Sequence, residues 1–208
     1  MHLILVRHGN TFGPADKVVW VGARTDLDLV EKGREQAAAV AAGLARAGLR
    51  PSRIYAGPLK RTRQTAEIIS ADHGLEASHI VLSDDLREID YGSWEARSNE
   101  EIRAEVGDQV IDDWQKRSIW PEGCGWQPGE AGVITGWKRL LVRIRKENAD
   151  DSVVLVVSSN GIFRLIAKSL GLSAAAAKMN TGAVAHLIGD GFGFSVKAWN
   201  VAPAELSL

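Results

Sequence analysis

The chain has 208 residues, 45% of them hydrophobic and 25% charged, with a formal net charge of -1 at pH 7. This balance is ordinary for a globular protein. With no basic tract and no net positive field, nothing in it serves to grip nucleic acid through the phosphates. A single cysteine, Cys124, excludes an internal disulfide, and the five histidines show no metal-ligand spacing with it or with one another.

Residues 2–6 form an apolar run that stops at Arg7, short of a signal-peptide core and of the ~20 residues a membrane helix needs. The expectation is a cytoplasmic protein without membrane association. One domain is expected over 1–208, with loop-rich insertions around 10–28 and 90–131.

Leu3-Ile4-Leu5-Val6 reads as a strand buried on both faces, because the run has no polar alternation. It delivers Arg7 and His8 to one end of a sheet. Residues 9–28 read as a loop, and 29–47 as a helix whose stripe is Ala37, Val40, Ala41 and Leu44. Asp28 and Glu31 have capping-box spacing at its start, and Gly48 ends it. Arg53–Ala56 is a short strand. A helix over 59–73 then places Lys60, Arg61 and Arg63 in its first turn, where the helix end is already partially positive. An anion there is attracted by both the helix end and the arginine.

His79–Leu82 reads as a third strand, and 97–116 as one helix carrying Ile102, Val106, Val110 and Trp114. Residues 117–131 are irregular. The segment 114–126 holds three of the seven tryptophans, either to pack an irregular stretch or to cap a pocket. A helix over 132–147 precedes the strongest strand, Ser152–Ser158, which leads through Ser159-Asn160-Gly161 into another helix. Strands over 183–188 and 194–199, joined by the turn Gly189–Gly193, close the chain. The alternation of strands and helices predicts an α/β sandwich.

Neither a phosphate-binding glycine loop nor a serine-hydrolase elbow is present. What remains is Arg7-His8, Arg61 and Glu88, each near a predicted strand end. Phosphoryl transfer needs such a set. A neutral imidazole attacks phosphorus, cations neutralise the non-bridging oxygens, and an acid protonates the departing oxygen.

The motifs Arg7-His8-Gly9-Asn10-Thr11, Leu29–Ala37, Gly57-Pro58-Leu59-Lys60-Arg61-Thr62-Arg63-Gln64-Thr65-Ala66, Leu86–Glu95 and Pro128–Ala131 follow one another in family order. Together they resemble the histidine phosphatase superfamily, the phosphoglycerate mutase-like fold. The resemblance implies a three-layer α/β/α sandwich with a mostly parallel central sheet. It implies His8 as the phosphorylated nucleophile and Glu88 as general acid and base. Arg7 and Arg61 would grip the phosphoryl oxygens, and Asn10 and Thr11 would border the pocket. It implies a small phosphorylated substrate and no cofactor or metal.

Two positions depart from the pattern. Ser159 stands where the family carries a second histidine, and Pro14 where an asparagine often contacts phosphate. Ser159 and Asn160 are the residues available to fill that side of the phosphate site. His186 lies on a later strand, in a core or surface place away from the site. The implied activity is hydrolysis of a small phosphomonoester. The alternatives are a catalytically impaired module that binds a phosphorylated ligand, and a phosphoglycerate mutase. Substrate identity and oligomeric state are open at this level.

Overall fold

The computed structural model describes residues 1–190 and 193–208. Part of the expected turn Gly189–Gly193 therefore lies outside the described residues. The strands are β1 (His2–Arg7), β2 (Pro51–Ala56), β3 (Ile80–Leu82), β4 (Val153–Ser158), β5 (Val184–Gly189) and β6 (Phe194–Val201). The helices are α1 (Glu31–Arg46), α2 (Lys60–Asp72), α3 (Asn99–Val106), α4 (Asp108–Arg117), α5 (Glu130–Glu147) and α6 (Asn160–Ser169).

The strands form one six-stranded sheet in the order β3-β2-β4-β1-β5-β6. β3, β2, β4 and β1 pair in parallel; β5 and β6 add antiparallel at one edge. Alternation along each strand splits the core in two. Leu3 and Leu5 of β1, with Val154 and Val156 of β4, face the side covered by α5 and α6. Ile4, Val6, Leu155 and Val157 face the side covered by α1 and α2. The expected three-layer α/β/α sandwich is thus present, and the central strands read as unbroken apolar runs because both faces are covered.

Two local expectations are corrected. The helix expected over 97–116 is two helices, broken at Gly107, whose φ of 85° lies in the left-handed region that favours glycine. The periodicity of Ile102, Val106, Val110 and Trp114 spans the break because both helices pack the same face inward. Asp28 does not cap α1, which starts after Val30 without a side-chain cap. Its carboxylate instead reaches α2, accepting from Gln64 Nε2 at 2.6 Å and from Lys60 Nζ at 3.2 Å. Ser98 supplies a full capping box to α3 with Glu101.

The tryptophan-rich segment packs into the core, and its first tryptophan, Trp114, also lines a cavity. Trp114 and Trp126 are buried in the core beneath α5 and α6. They meet Trp20, Tyr91, Trp94 and Trp120 in mainly edge-to-face contacts, among them Trp94–Trp126 at 5.0 Å and Tyr91–Trp126 at 4.7 Å. Among the described residues, no helix is long and apolar enough to cross a membrane.

Candidate active site

The carboxyl ends of β1, β2 and β4 open into one cavity of about 480 Å³. In an open α/β sheet this is where ligands bind. Its lining includes Arg7, His8, Asn10, Thr11, Arg61, Glu88 and Asn160. Residues spread over 153 positions of sequence are therefore brought together by strand register. Arg7 lies opposite Ser158 on β4, and His8 N–H donates to Ser158 O at 3.1 Å.

His8 is buried, and its Nδ1 lies 2.7 Å from its neighbour's carbonyl, Gly9 O. A carbonyl only accepts, so the proton sits on Nδ1 and the Nε2 lone pair is free. Burial pushes the His8 pKa well below the ordinary value, and the charges of Arg61 and Arg7 push it the same way. The ring is neutral at pH 7 in the tautomer that exposes a nucleophilic nitrogen.

Arg61 lies in the first turn of α2 and is almost fully buried. Its Nη1 donates to Thr25 O at 2.8 Å and its Nη2 to Gly22 O at 3.2 Å. That loop is itself fastened by Glu95, which accepts from Arg24 N–H and from Thr25 Oγ1 (2.7 Å). Arg7 Nη1 donates to Met179 O at 2.6 Å, while its Nε is buried without a partner. Burial lowers the Arg7 pKa to about 10, which leaves it charged at neutral pH.

Glu88 is buried. Its Oε1 accepts from Ile89 N–H at 2.9 Å and its Oε2 from Gly161 N–H at 3.2 Å. Desolvation raises its pKa above the usual carboxylate value, outweighing the opposing pull of Arg61, the two amides and Arg7. The acid is thereby readier to carry a proton, beside an imidazole that is readier to lose one. Environments that push two pKa values apart in this way suit separate nucleophile and acid roles.

Asn160 Oδ1 accepts from Met179 N–H at 3.1 Å. Its amide NH2 is left for the cavity that the residue lines. Ser159 behaves differently: it is fully buried, its Oγ has no hydrogen-bond partner, and it is not part of the cavity lining. Pro14 is exposed and also lies outside the lining. His186 is buried on β5 and pairs with His2, Nδ1 to Nε2, at 2.9 Å, as a core histidine should.

Several contributors escaped the sequence reading. Arg164 on α6 lines the same cavity, is 3% exposed, and lies with its guanidinium carbon 5.7 Å from the Trp114 ring centroid. The signal for it was an arginine set between Phe163 and Leu165 in an otherwise apolar run. Thr65 Oγ1 accepts from Gly9 N–H at 3.3 Å, and Gln36 Oε1 accepts from Asn10 N–H at 2.8 Å. Both side chains hold the loop that carries His8. Gly57 has no room for a side chain, since a Cβ there would sit 2.5 Å from Leu86 O. Among the described residues, no group of three or more His, Cys, Asp or Glu side chains is placed to hold a metal ion.

A buried histidine with a depressed pKa, flanking arginines and a buried carboxyl with a raised one, at the carboxyl end of a mostly parallel sheet, define an α/β protein with a pocket suited to an anionic group. The chain belongs to the histidine phosphatase superfamily, branch 1, whose family model matches residues 3–202. It is 34% identical over 116 residues to a 2,3-bisphosphoglycerate-dependent phosphoglycerate mutase of Thermobifida fusca, a match covering 55% of this chain and only 45% of that protein. It is 33% identical over 157 residues to phosphoserine phosphatase 1 of Hydrogenobacter thermophilus, covering 74% of this chain and 69% of that one. In structure it is similar to a mycobacterial glucosyl-3-phosphoglycerate phosphatase, with a TM-score of 0.79 at 23% identity, over 97% of this chain and 99% of the other. At that identity the likeness speaks to the fold.

Proposed function

We propose that the protein is a phosphatase that hydrolyses a small phosphomonoester through a phosphohistidine on His8. The observation that carries this reading is the His8 Nδ1 contact with Gly9 O at 2.7 Å, which aims a bare Nε2 into a cavity lined by Arg7, Arg61 and Glu88. The relative named as a phosphoserine phosphatase supports the reaction class.

In the first step Nε2 attacks phosphorus and the P–O ester bond breaks. The departing oxygen takes the proton of Glu88, while Arg7 and Arg61 neutralise the equatorial oxygens. In the second step water attacks the phosphorus of the phosphohistidine and gives a proton to the Glu88 carboxylate. The P–N bond breaks, and His8 and inorganic phosphate are released. The free amide NH2 of Asn160 and the positive charge of Arg164 are the groups that would serve the side where the resemblance places a second histidine. Ser159, buried away from the cavity, contributes no donor there.

Alkaline-quench trapping with a 32P-labelled ester tests the reading. Wild type should yield an acid-labile, base-stable phosphoenzyme, and His8→Ala should yield none and lose turnover. Equal turnover by both proteins would exclude it. The position of Ser159 favours a second reading, a module that binds a phosphorylated ligand without turning it over. Calorimetry showing phosphate binding, with no His8-dependent hydrolysis of any ester, would favour that reading.

A further inference from the structure

Resting on the phosphatase reading, the structure assigns a substrate class to the site: we propose that it takes phosphomonoesters with a flat, mainly apolar, uncharged leaving group. The cavity has more room than a phosphoryl group needs. Beyond the four residues of the proposed chemistry, its apolar lining is Phe12, Val18, Val19, Trp20, Val21, Tyr91 and Trp114, set among as many polar residues.

This wall is rigid. Trp20 and Tyr91 meet edge-on at 5.1 Å, Tyr91 and Trp114 at 6.5 Å, and both tryptophans contact Trp126 behind them, at 5.9 and 5.1 Å. Interlocked rings form a preformed slot that suits an aromatic or short alkyl group and costs little ordering on binding.

Several polar groups in that part of the cavity are committed to the protein. Asn99 Oδ1 accepts from both Trp20 Nε1 (2.8 Å) and Gln115 Nε2 (3.0 Å). Arg164 Nη1 donates to Ser118 Oγ at 2.8 Å and its Nη2 to Gln115 O at 2.7 Å, and its Nε is sealed from solvent. Both terminal nitrogens are thus tied to the end of α4, so the guanidinium lines the cavity as a positive charge but not as an open fork for a carboxylate. A polyol leaving group would strand most of its hydroxyls against rings and valines. A carboxylate would lose water without gaining a free bidentate partner.

Two measurements test this. The kinetic one compares benzyl phosphate with glycerol 1-phosphate and O-phosphoserine, all esters of primary alcohols. The expected result is kcat/KM at least tenfold higher for benzyl phosphate. Val19→Asn and Trp114→Ala should each shrink that ratio to threefold or less. Calorimetry with the non-hydrolysable benzylphosphonate and 3-phosphonopropionate reads the same preference without turnover, with benzylphosphonate expected to bind at least tenfold tighter. Comparable or reversed preferences in either measurement would overturn the assignment. If none of the esters were hydrolysed in a His8-dependent way, the phosphatase reading would fail. The phosphonate titration would then still decide the leaving-group preference by itself.

Discussion

Glu88 Oε2 accepts the backbone N–H of Gly161 at 3.2 Å, so the proposed acid is held by the first turn of the helix that follows the strongest strand. A Cβ at Gly161 would sit 2.5 Å from Tyr91 OH and 2.8 Å from Ile89 Cδ1, and closer still to Glu88 Oε1. Gly161→Ala must therefore displace the Glu88 carboxyl. A displacement of this order lowers kcat by about a hundredfold, and steady-state kinetics beside a far-UV spectrum of the folded variant would check it. Wild-type kcat in Gly161→Ala would mean that Glu88 position does not limit the reaction.

The pKa directions set the pH profile. His8 must be neutral, and its pKa lies well below 6.5, so the acid limb of kcat/KM should fall below that pH. Glu88 must hold its proton, and its pKa lies above 4.5, so activity should decline as pH rises through the Glu88 value. Glu88→Gln cannot donate a proton, and it should lose about 10²–10⁴ in rate together with the dependence on the basic side. The ester's own ionisation near pH ~6 affects both proteins alike and cancels in their ratio. A basic limb unchanged in Glu88→Gln would assign it to another group.

Glu95 touches Arg24, Thr25 and Tyr91 through four hydrogen bonds to its carboxylate, and the loop it fastens supplies both carbonyls that orient Arg61. Glu95→Ala should therefore behave as a damaged Arg61. Affinity for inorganic phosphate should fall about tenfold, the weakening equivalent to one hydrogen bond to a charged group at the low end of its range, about 1.5 kcal/mol. Arg61→Ala in the Glu95→Ala background should cost much less than in wild type. Additive losses would show that Glu95 acts independently of Arg61.

Burial pushes the His186 pKa down to about 4, and His2 is also lowered. A histidine depressed in the folded state is protonated more readily when unfolded. Its contribution to stability is complete above pH ~6.5 and is lost as pH falls toward the folded value. Urea midpoints at pH 7 and pH 5 should differ, and the difference should narrow in His186→Leu, which cannot titrate. An equal shift in both proteins would place the acid sensitivity elsewhere.

Much of this protein was legible without its structure. Unbroken apolar runs at β1 and β4 announced strands covered on both faces, and the order of the motifs placed His8, Arg61 and Glu88 at strand ends. Short-range signals of this kind depend on periodicity and on neighbours a few residues away, which sequence carries directly. The break at Gly107 was hidden because both of its helices keep one apolar face inward, so the spacing runs straight through it. Asp28 looked like a cap because capping geometry is local, whereas its actual partners Gln64 and Lys60 arrive from another helix.

The sequence by itself determined the sandwich, the neighbourhood of His8 and the identity of its two flanking arginines. Only the tertiary structure decided which tautomer His8 adopts, since that depends on the direction of one carbonyl. It also decided that Arg164 lines the cavity while Ser159, five residues earlier on the same connection, does not. The reason is physical. Which way a helix turns each side chain relative to a cavity is set by how that helix packs on the sheet, and the packing involves residues from α4, β4 and the loop after β3 at once.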